Sequence, residues 1–257
     1  MNIKKHIPNL FTLGNLLCGT LALLSAFNGN FENTFLLVVL GIVFDFFDGF
    51  LARILKVSGE LGKQLDSLAD MVTSGVVPGL VMYFLIFESS YENLDKISWA
   101  KGILSPVSSN DYSMTWLPYL GLLLTLAACY RLAKFNIDTR QSDSFIGLPT
   151  PAMSLFVVSL PIILEYTEIE LIKDLITNNY FLIGVTLVLS YLMNAELPLF
   201  SLKFKNYGFI ENIFKYLLLI FSIILLVTVH FLAIPIIIVL YIILSIINNI
   251  ISKNETT

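Results

Sequence analysis

The chain is expected to fold as an all-α, polytopic membrane helix bundle, and three observations predict this. It has 257 residues, of which 56% are apolar and only 13% charged, against about 25% charged in an ordinary soluble domain. Its apolar residues fall in long blocks of roughly the 20 residues needed to cross a hydrocarbon core. These blocks do not alternate apolar and polar residues as membrane barrel strands do, and backbone groups in lipid are best satisfied within helices. The mean hydropathy is +0.82.

About eight hydrophobic segments can be drawn: near 10–28, 34–55, 67–87, 115–135, 150–166, 179–197, 214–231 and 233–251. The opening, MNIKKHIPNLFTLGN, does not read as a cleavable signal, because Pro8, Asn9, Thr12 and Asn15 interrupt it and no small-residue cleavage site follows cleanly. It reads as an amphipathic lead-in to the first span. A short loop, roughly Lys56 to Lys63, makes the second and third segments antiparallel neighbours. The longest loop, near 88–114, is too short for a soluble domain. The run from Tyr216 to Ile251 is too long for one span at about 1.5 Å per residue, and His230 and Pro235 offer a turn within it.

Charge gives an independent check on this topology. With both termini cytoplasmic, only Lys96, Lys101 and Lys173 of the 15 basic residues fall on the outer side, the bias that the positive-inside rule predicts. The acidic stretches Glu88–Asp95 and Glu165–Asp174 then face out. The net charge of −4 comes with no basic surface for nucleic acid. Cys18 and Cys129 lie inside apolar segments and read as small core residues, with no CxxC or Cys/His cluster for zinc or redox chemistry.

The chemistry-bearing residues concentrate in one stretch. Asp45 and Asp48 come late in the second segment, Asp66 and Asp70 open the third, and spacings of three and four put each pair on one helical face. Both pairs sit at the same, cytoplasmic, end of antiparallel neighbours, so four carboxylates can converge. A carboxylate in a membrane helix costs about 2.5–3.5 kcal/mol on insertion scales, and four together repel. Arg53 can neutralise one charge at most. Divalent cations that prefer oxygen, Mg2+ or Mn2+, suit such a site, and two ions about 3.5–4 Å apart commonly serve phosphoryl transfer. Gly49, Gly62 and Ala52 clear space beside the acids for a neighbouring helix or a diphosphate. The plainer alternative is that Asp66 and Asp70 cap a helix N-terminus.

The stretch Asp45-x2-Asp48-Gly49-x2-Ala52-Arg53-x8-Gly62-x3-Asp66-x3-Asp70 resembles, without departure, the signature of the CDP-alcohol phosphatidyltransferase family. The resemblance implies that Asp45, Asp48 and Asp66 bind two divalent metals on a CDP diphosphate. It implies that Asp70 touches metal and acts as general base, and that Gly49, Ala52 and Gly62, with Arg53 between them, border the CDP-lipid. It further implies a six-helix catalytic core, here 1–200, with 201–257 adding two helices and a tail, and a homodimer in the cytoplasmic (inner) membrane with its active site toward the cytoplasm.

Two further stretches, Arg131-Leu-Ala-Lys134-Phe-Asn136 and Gly147-Leu-Pro149-Thr150-Pro151-Ala152, resemble the phosphatidylserine synthase branch of that family. Lys134 stands where Arg is more usual, keeping the charge without the bidentate fork, and Met153 replaces a small residue. The branch implies CDP-diacylglycerol and L-serine as substrates. Arg131 could grip the serine carboxylate, with Lys134 and Asn136 beside it; the bland reading of the two cations is topology. A phosphate-bearing acceptor such as glycerol phosphate or inositol phosphate would want a denser basic pocket. Asn9, Thr12 and Asn15 share a face and resemble the family's nucleotide-holding first helix, or else bond neighbouring helices. Gly75 and Gly79 read as packing. A cation transporter is the rival from another class, since intramembrane acids also mark ion paths, though the acids cluster at one end.

Overall fold

The computed structural model describes residues 6–57, 59–90, 116–138, 144–200, 208 and 212–255. The basic residues Lys4, Lys5, Lys96, Lys101, Arg140, Lys203 and Lys205, used above for topology, lie outside them, as does most of the long loop.

All eight predicted segments carry helix. α1 (His6–Phe27) and α2 (Phe31–Ile54) form an antiparallel pair whose turn is capped by Asn30, accepting from Asn33 N. α3 (Glu60–Asp70) runs through a π-helical turn (Met71–Val76) into α4 (Val77–Ser90). A 3-10 turn (Leu117–Leu122) leads into α5 (Leu123–Ile137). Strand β1 (Ser144–Ile146) precedes α6 (Thr150–Tyr166), α7 (Glu170–Ile176) and α8 (Asn179–Asn194), and β2 (Pro198–Phe200) follows. α9 (Ile213–Val229) and α10 (Ala233–Glu255) end the chain, joined by a 3-10 turn (His230–Leu232).

Among the described residues, five helical stretches are long and apolar enough to cross a membrane, or six if α7 and α8, bent by 67° at their junction, count as one span. α6 is a shorter apolar helix. The C-terminal stretch Ile213–Ile251 folds back on itself. Its turn is marked by His230, at φ 50°. Leu218 of α9 meets Tyr241 and Leu244 of α10 in one buried cluster, whereas an unbroken helix would hold Leu218 and Tyr241 roughly 35 Å apart. Pro235 sits in the first turn of α10, where its missing N–H costs nothing.

Two boundaries differ from expectation. α1 already runs from His6, so residues 6–15 of the supposed lead-in belong to the same helix as the first span. The third helix starts at Glu60, with Gly59 as N-cap, rather than near Asp66. Polar residues prolong it beyond the apolar block, and from Glu60 to Ser90 it spans roughly 46 Å, longer than the ~30 Å hydrocarbon core.

Lipid gives little hydrophobic drive between helices, so close packing of small residues carries association. α4 is the buried centre, with Val77, Val81, Met82, Phe84, Leu85 and Ile86 all within the core. Gly19 of α1 and Gly41 of α2 close around Thr73: a Cβ on either would fall 2.3 and 2.8 Å from its side chain. Gly79 and Gly75 pack as expected, against Thr125 and Ala128 of α5. Cys18 is buried but Cys129 is exposed, so only one of the two is a core residue; position 129 falls on the outward face of α5.

β1 and β2 form a short antiparallel ladder, Phe145 opposite Leu199. It ties the start of α6 to the end of α8, and Asn249 of α10 donates to Pro198 O there. The end of α10 therefore lies at the same end of the bundle as this ladder.

Candidate active site

α2 delivers two carboxylates and α3 two more to the ladder end of the bundle. One oxygen each from Asp45, Asp48 and Asp66 lie within 4.8 Å of one another, and Asp45 and Asp66 are within hydrogen-bonding reach. Asp48 is buried, with 6% of its surface exposed. Asp70, one turn beyond Asp66, interacts electrostatically with Asp45, Asp48 and Asp66. Since α3 starts at Glu60, Asp66 and Asp70 are interior to the helix and cap nothing; the capping alternative is excluded.

Among the described residues no lysine or arginine makes an ion pair with Asp45, Asp48 or Asp66. Arg53, expected to offset one charge, is exposed, and its Nε donates to Gly49 O at 2.9 Å. Carboxylates this close need a proton or a cation between them. An all-oxygen donor set suits Mg2+ or Mn2+, so the residues present fit the divalent metal that the spacing predicted.

α1 supplies the acids' hydrogen-bond partners. Thr12 Oγ1 donates to Asp48 Oδ2 at 2.5 Å, and Asn15 Nδ2 to Asp70 Oδ1 at 3.1 Å. Each bond fixes one oxygen and leaves its twin for other work. Thr12 and Asn15 thus act on the aspartates; Asn9 instead sits beside Gly62, its Oδ1 3.5 Å from where a Cβ would be. No atom outside its own neighbourhood comes within 4 Å of a Cβ built on Gly49, so that glycine borders open space and not a helix contact. Ala52, half-buried, lies one turn on.

Below Asp70 the helix widens into the π-turn, a feature frequent at functional sites. Its carbonyls are met from neighbouring helices: Thr125 Oγ1 donates to Gly75 O at 3.0 Å and Ser154 Oγ to Thr73 O at 3.5 Å. Thr73 Oγ1 in turn donates to Asn15 O at 3.1 Å, steadying the residue that orients Asp70.

Facing the acids is a second, cationic group. Arg131, 7% exposed, interacts electrostatically with Asp70 and with Tyr241 of α10. Its Nη1 reaches Thr150 Oγ1 at 3.5 Å, and its guanidinium lies 5.9 Å from the Phe135 ring centroid. The Gly147–Ala152 stretch earns its place by geometry. Gly147 takes φ 75°, and a Cβ there would come 2.4 Å from Met193 O. Leu148 N donates to Leu192 O at 2.9 Å, and Pro149 caps the helix that presents Thr150.

Of the three acceptor-binding candidates the structure unites two. Arg131 and Lys134 line one cavity, with Lys134 Nζ 3.5 Å from Glu196. Asn136 is engaged elsewhere: its Nδ2 donates to Ser67 Oγ at 2.8 Å and its carbonyl accepts from Lys63 Nζ, latching α5 to α3. Thr150 lay within a stretch singled out from the sequence; Thr73, Asn194, Glu196 and Tyr241 were not anticipated. Asn194 carried a signal, being polar at the end of an apolar segment; Tyr241 carried none.

The profile of the CDP-alcohol phosphatidyltransferase family matches residues 5–192. The chain is similar to the CDP-diacylglycerol–serine O-phosphatidyltransferase of Bacillus subtilis, 33% identical over 159 residues, 60% of this chain and 75% of that protein. It is similar also to the protein of the same name in Helicobacter pylori, 34% identical over 153 residues, 59% of this chain and 55% of that protein. Archaetidylserine synthase of Methanothermobacter thermautotrophicus is 27% identical over 178 residues, 66% of each. The chain thus spans three quarters of the first relative's length but little more than half of the second's. α9 and α10 lie beyond the family match.

Proposed function

This chain belongs to the CDP-alcohol phosphatidyltransferase family, and on that premise we propose that it transfers the phosphatidyl group of CDP-diacylglycerol to the hydroxyl of L-serine, releasing CMP. The observation that carries the reading is the meeting of Asp45, Asp48 and Asp66 within 4.8 Å, with Asp70 beside them. The names of the relatives support serine as the acceptor.

Asp45, Asp48 and Asp66, with Asp70 at their edge, would hold two divalent ions, Mg2+ or Mn2+, which when bound supply positive charge for the diphosphate oxygens. The open space beside Gly49, with Ala52 and Gly62, admits the nucleotide, and Asn9 and Arg53 border its entrance. The acyl chains stay in the bilayer. Arg131 binds the serine carboxylate through a charge-assisted hydrogen bond. Asp70 takes the serine hydroxyl proton on Oδ2, because Asn15 occupies Oδ1. The serine oxygen bonds to the phosphorus that carries diacylglycerol, the bond from that phosphorus to the CMP oxygen breaks, and CMP leaves with the electron pair. The basic residues at this end of the helices support a site facing the cytoplasm, in the inner membrane, and the family resemblance supports a homodimer.

The test is CMP release by purified protein given CDP-diacylglycerol and one alcohol at a time, with the lipid product resolved. Serine should give phosphatidylserine, and thorough chelation should stop it. Product from glycerol phosphate or inositol phosphate in place of serine would overturn the acceptor; full activity after chelation would overturn the metal.

A further inference from the structure

Among the described residues, six buried side-chain polar atoms have no hydrogen-bond partner, and two of them, Arg131 Nε and Asn194 Oδ1, belong to side chains that line the same cavity. It lies between α5 and the end of α8, with Lys134 and Phe135 also in its wall, and its volume is about 10 Å3, room for about one water-sized group. One orphan is a cationic donor and the other a neutral acceptor.

The acceptor's identity is fixed by its own amide. Asn194 Nδ2 donates to Ala127 O at 3.1 Å and to Ser190 O at 3.2 Å. Turning the amide over would set Oδ1 against two carbonyl oxygens, so Oδ1 is the free end. Arg131 is likewise held, by Thr150 and by Phe135, which leaves Nε over. Buried polar groups are costly without partners, and a single ligand carrying both an anionic acceptor and a cationic donor would satisfy both. Lys134 does not oppose such a donor, since Glu196 pairs with it at 3.5 Å.

We propose that Asn194 determines acceptor specificity, its Oδ1 accepting a hydrogen bond from the ammonium group of an amino-acid acceptor whose carboxylate is held by Arg131. This rests on the serine reading above and extends it to a residue beyond the family match. The cavity has room for the ammonium head against Asn194, with the carboxylate at its rim against the Arg131 guanidinium. The hydroxymethyl group extends past Arg131 toward Asp70, the acid that shares its electrostatic field. A phosphate-bearing polyol brings no cation for Asn194 to receive.

The test pairs a variant with a substrate that lacks one group. Asn194→Leu keeps the size and removes the acceptor. 3-Hydroxypropanoate keeps the hydroxyl and carboxylate of serine and lacks the ammonium; it is used as acceptor, or as competitive inhibitor where turnover is too slow. With serine, KM should rise about 10-fold or more while kcat and the KM for CDP-diacylglycerol hold. With 3-hydroxypropanoate the wild type and the variant should be indistinguishable, so that the preference for serine collapses. Equal losses with both compounds, or no loss with serine, would overturn the proposal and leave Asn194 as a packing residue. If Asn194→Leu does not fold, Asn194→Ala carries the same comparison. Should wild-type protein release no CMP with serine, it is the acceptor assignment that fails, a result distinct from either of these.

Discussion

The two halves of the site are built in opposite ways. The acidic half comes from one helical hairpin: Asp45, Asp48, Asp66 and Asp70 lie within 26 consecutive residues, on two helices joined by a short turn. The cationic half is gathered from four separate helices, with Arg131 on α5, Thr150 on α6, Asn194 on α8 and Tyr241 on α10. A centre that concentrates negative charge gains from a rigid, local scaffold in which helical spacing alone sets the approach of the oxygens. A pocket that must fit one small acceptor can be tuned by residues arriving from anywhere in the fold. The acidic half should therefore be intolerant of any change, and the acceptor half graded.

The largest effect should come from the acids. Asp45→Asn or Asp66→Asn should reduce turnover below detection. In wild-type protein a divalent ion at 100 times its Kd should stabilise the fold by about 2.7 kcal/mol, and these variants should lose that rise in Tm. A variant that kept both activity and ion-dependent stabilisation would break the reading of the cluster as a metal centre. Asp70→Asn should lower kcat by roughly 10²–10⁴-fold while nucleotide binding, followed by titration with a CDP-lipid analogue, stays near wild type. Normal turnover would remove Asp70 as the base.

The same contrast decides what was legible in the sequence. The helices and the acidic face follow from periodicity and spacing, which are local properties. The start of α3 was missed because Leu61 is the one apolar side chain among Glu60 to Gln64, and an apolar window does not see the stretch. Asn136 sits near Arg131 in sequence but engages Ser67 and Lys63, because five residues along a helix turn a side chain well away from its neighbour's face. Asn194 and Tyr241 reach Arg131 only through the packing of α8 and α10, and no spacing within the chain encodes that. Thr12 and Asn15 were found by their shared face, but which acid each would meet depends on how α1 crosses α2 and α3.

On the acceptor side, Arg131→Met should raise the KM for serine by about 10- to 100-fold, the worth of a charge-assisted hydrogen bond of about 1.5–3 kcal/mol, with the KM for CDP-diacylglycerol unchanged. Steady-state kinetics with each substrate varied in turn separates the two. A matching rise for CDP-diacylglycerol would place Arg131 on the nucleotide and dissolve the division into halves.

The smallest effect sharpens the comparison most, because it lies outside the family match. Tyr241 is buried on α10, its hydroxyl donating to Phe200 O at 3.0 Å and its ring edge-on to Phe200, 5.2 Å between centroids. It also lies within electrostatic range of Arg131. Tyr241→Phe keeps the ring packing and deletes one hydrogen bond, a net change of about 0.5–1.5 kcal/mol. If the C-terminal hairpin helps shape the acceptor pocket, that change should appear as a roughly 2- to 10-fold rise in the KM for serine, with kcat and the KM for CDP-diacylglycerol held. If the hairpin only anchors the chain in the bilayer, kinetics should not move and the loss should show in Tm alone. The acceptor half would then end at α8, wholly within reach of Arg131 and Asn194, and the extra helices would owe their place to packing rather than to specificity.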